Sequence, residues 1–174
     1  MNRTFVIGLD GSGIDEAIRG VQEWKDWIER KTDQLANMLA NMGCEFAYTI
    51  LSNHVYSGAT LNSLRVEQAG PGQYVVKAES EAILFLEFGS GLGGYGHPEP
   101  HGMGPGTYPG KGHWADPGGW WFETEDMNLA VKRDAKTGKM YGHSYGNPPY
   151  MPMYNSVKEL ELRFAEAARE VFEN

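Results

Sequence analysis

The chain has 174 residues, 41% of them hydrophobic and 22% charged, the size and make-up of one compact domain, so a single domain over residues 1–174 is expected. Its 15 Lys plus Arg against 23 Asp plus Glu leave a formal charge of -8, which argues against contact with a nucleic-acid backbone, where cations must replace condensed counterions. No apolar stretch approaches the roughly 20 residues that cross a bilayer. Solitary Cys44 forms no internal disulfide and the N-terminus carries no secretory pattern, so synthesis in a reducing cytoplasm is expected.

The opening RTFVIGL places Phe5, Ile7 and Leu9 at the period of two of a half-buried strand. DGSG follows, with Ser12 as the expected helix N-cap and Asp15 suited to the positive end of the helix dipole. Ile14, Ile18, Val21, Trp24, Ile28, Leu35, Met38 and Met42 then recur at steps of three and four, which predicts a long amphipathic helix ending or breaking at Gly43. CEFAYTIL fits either period; the side shared by Phe46, Ile50 and Leu51 favours helix. TLNSLRVEQ and QYVVKAES, separated by AGPG, read as a β-hairpin.

Residues 89–119 are more than half Gly and Pro and read as a long surface loop that forms no core of its own. GWWFETE and LAVKRD resume strand composition, and AKTGK reads as a tight turn of a second hairpin, with Gly138 supplying positive φ. After PPYMP, which marks a boundary, Val157, Leu160, Phe164, Ala168 and Val171 predict a C-terminal helix.

Chemical motifs are few. GSGLGG in residues 89–94 matches a dinucleotide fingerprint, but Tyr95, Gly96, His97 and Pro98 continue the loop where a helix is required. GLDGSG lacks the Lys and Ser or Thr of a phosphate-binding loop, and Gly8 stands where an aspartyl phosphatase needs an acid. His97, His101 and His113, with Glu99 and Asp116, offer zinc-ligand chemistry and define the enzymatic alternative, a small metal hydrolase of phage or prophage origin. They lack a helical His pair or cysteines, so exposed loop residues or contacts with a neighbouring subunit are the expectation, with no metal and no cofactor. Cys44, in an apolar context, reads as a buried structural thiol. Ser57, Ser63 and Ser144 lack a nucleophile elbow, and Glu79, Glu81 and Glu87 form no recognisable carboxylate pair. Trp114, Trp120, Trp121, Tyr95 and Tyr108 cluster in or beside the loop, either anchoring an interface or folding back on their own sheet.

Taken in order, the long helix, TLNSLRVE, YVVKAES, AILFLEFGSG, a Gly and Pro loop, GWWFE, GHSYGNPPYMPM and a terminal helix resemble the gene-product-10-like head-tail joining, or tail completion, family of long-tailed phages. FLEFGSG, residues 85–91, carries the resemblance most specifically, and PPYMPMYNSV, residues 148–157, comes second. The resemblance implies an α+β subunit, a small antiparallel β-sheet packed against the long N-terminal and the C-terminal helix. It also implies a homo-oligomeric ring, a hexamer by family analogy, at the virion neck between the head connector or adaptor and the tail tube or tail terminator proteins. No catalytic residues come with it, and neither a membrane nor sequence-specific nucleic acid is an expected partner. Phe85, Leu86 and Phe88 are expected to anchor in the core, Gly89 and Gly91 to turn the chain sharply, and Glu87 to be a buried or inter-subunit polar partner. The interface expected from this reading comprises Glu87, Phe88, Gly89, Gly91, Tyr95, Tyr108 and Trp114, with the loop supplying one of the two patches of a head-to-tail ring contact.

Overall fold

A computed structural model describes residues 11–54, 58–80, 82–91, 118–128 and 130–173. The strand expected around Phe5, Ile7 and Leu9 lies outside them. In chain order the elements are α1 (Gly11–Ser52), α2 (Gly58–Ser63), β1 (Arg65–Gly70), β2 (Gln73–Lys77), α3 (Ile83–Phe88), β3 (Ser90–Gly91), β4 (Trp120–Glu123), β5 (Lys132–Arg133), β6 (Met140–Ser144), β7 (Gly146–Asn147) and α4 (Pro152–Glu173). The fold is α+β, and its antiparallel strands form three small sheets: β1-β2, β3-β7 and β4-β6-β5.

At 42 residues α1 is about 63 Å long, nearly twice the length of the 22-residue α4. The two run antiparallel. Leu35 of α1 packs with Ala167 and Val171 near the end of α4, and Trp27 meets Phe172 edge-on at 5.8 Å. At the other end Leu51, fully buried, joins Ile83 and Leu86 of α3, and His54 stacks on Tyr150 at 3.8 Å. The first four turns of α1 therefore extend past the end of α4.

Two expectations for α1 are corrected. Ser12 is the second residue of the helix, so its side chain is not the N-cap. Gly43 neither ends nor breaks the helix, and CEFAYTIL continues it. Gly43 is where the helices come close: a Cβ there would lie 3.0 Å from Leu160 Cδ1 and 3.8 Å from Val76 Cγ2. Glycine costs a helix about 1 kcal/mol relative to alanine. Gly43→Ala regains that amount, and the flexible end of Leu160 can yield to one methyl, so thermal denaturation is expected to change by less than about 1 kcal/mol. Gly43→Leu forces the helices apart and is expected to cost about 3 kcal/mol in the same measurement.

The β1-β2 hairpin forms as expected, although TLNS belongs to α2 and not to its first strand. Thr60 of α2 is buried and shares a 2.9 Å hydrogen bond with Ser80. The hairpin is tied to α1 by Asp33, whose carboxylate accepts the Gly72 amide at 2.9 Å and the Tyr74 hydroxyl at 3.1 Å. On its surface Glu67 pairs with Lys77 at 2.5 Å and with Arg65 at 2.7 Å. Lys77 first, and Arg65 second, hold the Glu67 carboxyl below the usual carboxylate range. A depressed folded-state pKa contributes stability that is complete above the unfolded value, about 4.3, and lost as pH falls through the folded one. Amide protection factors in β1-β2 are expected to fall below about pH 4 in the native chain and to lose that dependence in Glu67→Gln.

The second hairpin also forms. It joins β5 to β6 through a turn in which Asp134 accepts the amides of Lys136 (2.7 Å) and Thr137 (2.9 Å) and Gly138 has φ 72°. β4 pairs with the far side of β6, from Trp120 opposite Ser144 to Glu123 opposite Tyr141. α4 begins at Pro152, one residue before the expected start at Met153.

Candidate functional site

The two segments that carry the resemblance meet. A helix leaves its first amides without intrahelical acceptors, and a buried N-terminus must find them elsewhere. In α4 the account closes residue by residue. The Met151 amide donates to the Leu86 carbonyl at 3.3 Å, Pro152 has no N–H, the Met153 amide donates to Glu87 Oε2 at 2.8 Å and the Tyr154 amide to Glu87 Oε1 at 2.9 Å. The Asn155 amide then makes the first i to i−4 bond, to Met151 at 2.9 Å. Proline at the first helical position suits this, since it lacks a donor the site would otherwise have to satisfy.

Both acceptors come from α3. The Leu86 carbonyl also takes the Tyr150 amide at 2.8 Å, so one turn of α3 organises residues 150–154. Glu87 is 7% exposed, set between buried Leu86 and half-buried Phe88. Its negative charge faces the positive end of α4, where dipole and hydrogen bonds act in the same sense. Met151 has φ 54°, a left-handed conformation that costs a residue with a Cβ about 1–2 kcal/mol. The bonds on both sides of Met151 hold it there.

Asn147 closes the other side of the junction. Its amide nitrogen donates to the Phe85 carbonyl at 2.8 Å and its side-chain oxygen accepts the Ser90 hydroxyl at 2.5 Å, within the β3-β7 pairing of Ser90 with Asn147 and Gly91 with Gly146. Gly89 has φ 77°, the sharp exit expected of it. Leu86 is core, whereas Phe85 and Phe88 are half-buried. Asn147 was not singled out from the sequence; its place inside GNPPYMP, between a glycine and two prolines, was the available signal.

Of the other interface candidates, Tyr95, Tyr108 and Trp114 lie outside the described residues, as do His97, Glu99, His101, His113 and Asp116. Among the described residues no group of three or more His, Cys, Asp or Glu could hold a metal ion. No described helix is long and apolar enough to cross a membrane. Cys44 lies within α1 and is half-buried, not fully buried as expected; burial first, and Glu45 second, raise its pKa, so the thiol stays protonated at neutral pH.

The aromatic residues divide between two faces. Trp120 is half-buried, whereas Trp121 on the opposite face of β4 is exposed and continues into His143 (4.6 Å), which meets Tyr145 (4.6 Å). Lys132 lies over the Trp121 ring at 5.9 Å. On this face Trp121 and Tyr145 are exposed, with the half-buried His143 ring between them.

No family model, no curated protein and no solved structure matches the chain.

Proposed function

We propose that the chain is a structural, non-enzymatic subunit of the neck of a long-tailed phage, joining head to tail as one member of a homo-oligomeric ring, of six copies by family analogy. Its neighbours are the head connector or adaptor and the tail tube or tail terminator proteins, and its location is the virion. The observation that carries this reading is the junction of residues 85–91 with residues 146–155. The two segments that carry the resemblance lie far apart in the chain and interlock in space. Glu87 and Asn147 are engaged with backbone groups, and Ser90 with Asn147, a use of polar side chains that suits a scaffold better than a reaction centre. The exposed apolar side chains of α1 and α4 support assembly, since contiguous apolar surface on a soluble chain marks contact sites.

Electron microscopy of the purified chain tests the reading: closed rings of one diameter are expected, with no stoichiometric zinc in the same sample. Scattered monomers carrying one zinc each would contradict it. Deleting residues 93–113 is expected to leave a folded monomer that forms no rings; an unchanged ring would remove the loop from the contact.

A further inference from the structure

The face of the β4-β6-β5 sheet that carries Trp121 holds a small hollow. Cross-strand partners share a face of a sheet, so Trp121 opposite His143 and Lys132 opposite Tyr141 put all four side chains there. Trp121, Lys132, Asp134 and Tyr141 line the hollow, whose volume is about 250 Å³. The Trp121 ring is its apolar wall and is 53% exposed. The other three side chains supply an ammonium donor, a carboxylate acceptor and a hydroxyl that serves as both. Among the described residues, neither the Lys132 ammonium nor the Tyr141 hydroxyl has a hydrogen-bond partner. Asp134 uses Oδ1 for both amides of its turn, which leaves Oδ2 as an acceptor.

We propose that this hollow binds a neutral saccharide, one sugar ring at a time against Trp121. A pyranose presents C–H groups on a face and hydroxyls around its rim, so it needs one flat apolar wall with donors and acceptors at the edge. The hollow supplies both. Charge selects a neutral ligand. Lys132 and Asp134 cancel inside the hollow, and Lys139 with Glu123, paired at 2.8 Å, cancel beside it. A phosphate or carboxylate would meet Asp134, and an ammonium group would meet Lys132. An apolar anchor from a protein would cover three polar side chains and leave them unpaired, which costs more than the contact returns. The hollow is smaller than the roughly 300–1,000 Å³ of sites that enclose a drug-sized ligand, so it takes a single ring and leaves the rest of a chain in solvent.

Lys132 Nζ stands 5.9 Å from the Trp121 centroid, at the outer reach of a cation–π contact. Its exposed side chain swings off the ring to donate to a hydroxyl. Beyond Trp121 the aromatic strip runs through His143 to Tyr145, with 4.6 Å between successive centroids, and Tyr145 is 58% exposed. A second sugar of the same chain therefore finds a second ring. One stacked ring with a few hydrogen bonds on an open surface corresponds to a Kd of about 1 mM. The site stands apart from the ring reading, and either can fail without the other.

Saturation-transfer NMR on the full chain tests this, with maltotriose, cellotriose and triacetylchitotriose as neutral probes. At least one is expected to bind saturably with a Kd near or below about 1 mM. Trp121→Ala is expected to abolish the signal, and Tyr141→Phe, which removes one hydroxyl and keeps the ring, to weaken binding about threefold to tenfold. Should Trp121→Ala loosen the sheet, seen as lost amide protection in residues 120–123 and 140–144, Tyr141→Phe and Lys132→Met carry the test. No binding of any of the three probes overturns the proposal. Binding that Trp121→Ala leaves unchanged also overturns it, because the sugar then sits elsewhere. Tighter binding of glucose 6-phosphate or glucosamine overturns the selection of a neutral ligand, and tighter binding of uridine assigns the Trp121 wall to a flat base instead.

Discussion

Glu87→Ala is expected to lower the unfolding free energy by about 3 kcal/mol, a drop of roughly 6–12 °C in Tm. The alanine removes the acceptor of two amides at the start of α4 and the charge that faces its dipole, and neither amide has another acceptor in the helix. A hydrogen bond to a charged group contributes about 1.5–3 kcal/mol, and the two here share one carboxylate, so the sum stays below twice that value. Glu87→Gln keeps one carbonyl oxygen but sets an NH2 group against the second amide. It is expected to cost about half as much in thermal denaturation. A Gln variant as damaging as Ala would mean that the charge, and not the pair of hydrogen bonds, holds the junction. An Ala variant as stable as the native chain would mean that α4 is held by its packing on α1 alone.

Gly119→Ala is expected to cost about 3 kcal/mol locally, loosening the β4-β6-β5 sheet before the helices. Gly119 has φ 75°, which costs a residue with a Cβ about 1–2 kcal/mol. The new Cβ would also collide with the Ser144 carbonyl oxygen and come within 2.9 Å of His143 Cε1. A backbone carbonyl held in the β4-β6 pairing cannot yield as a side-chain tip does. Gly119→Asn separates the two causes, since asparagine tolerates left-handed φ yet carries the same Cβ. No rescue by Asn is expected, read as lost amide protection in residues 120–123 and 140–144 with α1 and α4 unchanged. Recovery with Asn would assign the cost to φ alone.

Much of the helical part was legible because α1 and α4 each repeat an apolar stripe over many turns. The error at Gly43 came from treating glycine as a local signal, when close approach to Leu160 was the deciding contact. TLNS misled because four residues fit both periods, and the burial of Thr60 against Ser80 decides for a helix. β6 was expected only as the return strand of the second hairpin, because MYGHS is poor in β-branched residues; it becomes a strand by pairing on both sides, with β4 and with β5. At the junction, the flanking Leu86 and Phe88 marked Glu87 as buried. Its partners stood 66 and 67 positions away, and no local pattern encodes that register. The Val157, Leu160 and Phe164 stripe of α4 was read correctly as helical, yet two of its three members are more than half exposed. Periodicity shows that a stripe exists; whether the chain itself or another copy covers it depends on the assembled surface.

Light scattering of the purified native chain over a wide concentration series is the most direct test of the proposed ring. A metal-free sample whose mass climbs from 19.3 kDa to a plateau at one fixed multiple is the expected result. A mass that stays at 19.3 kDa throughout, with stoichiometric zinc that is lost when His97 and His101 are replaced, would contradict it.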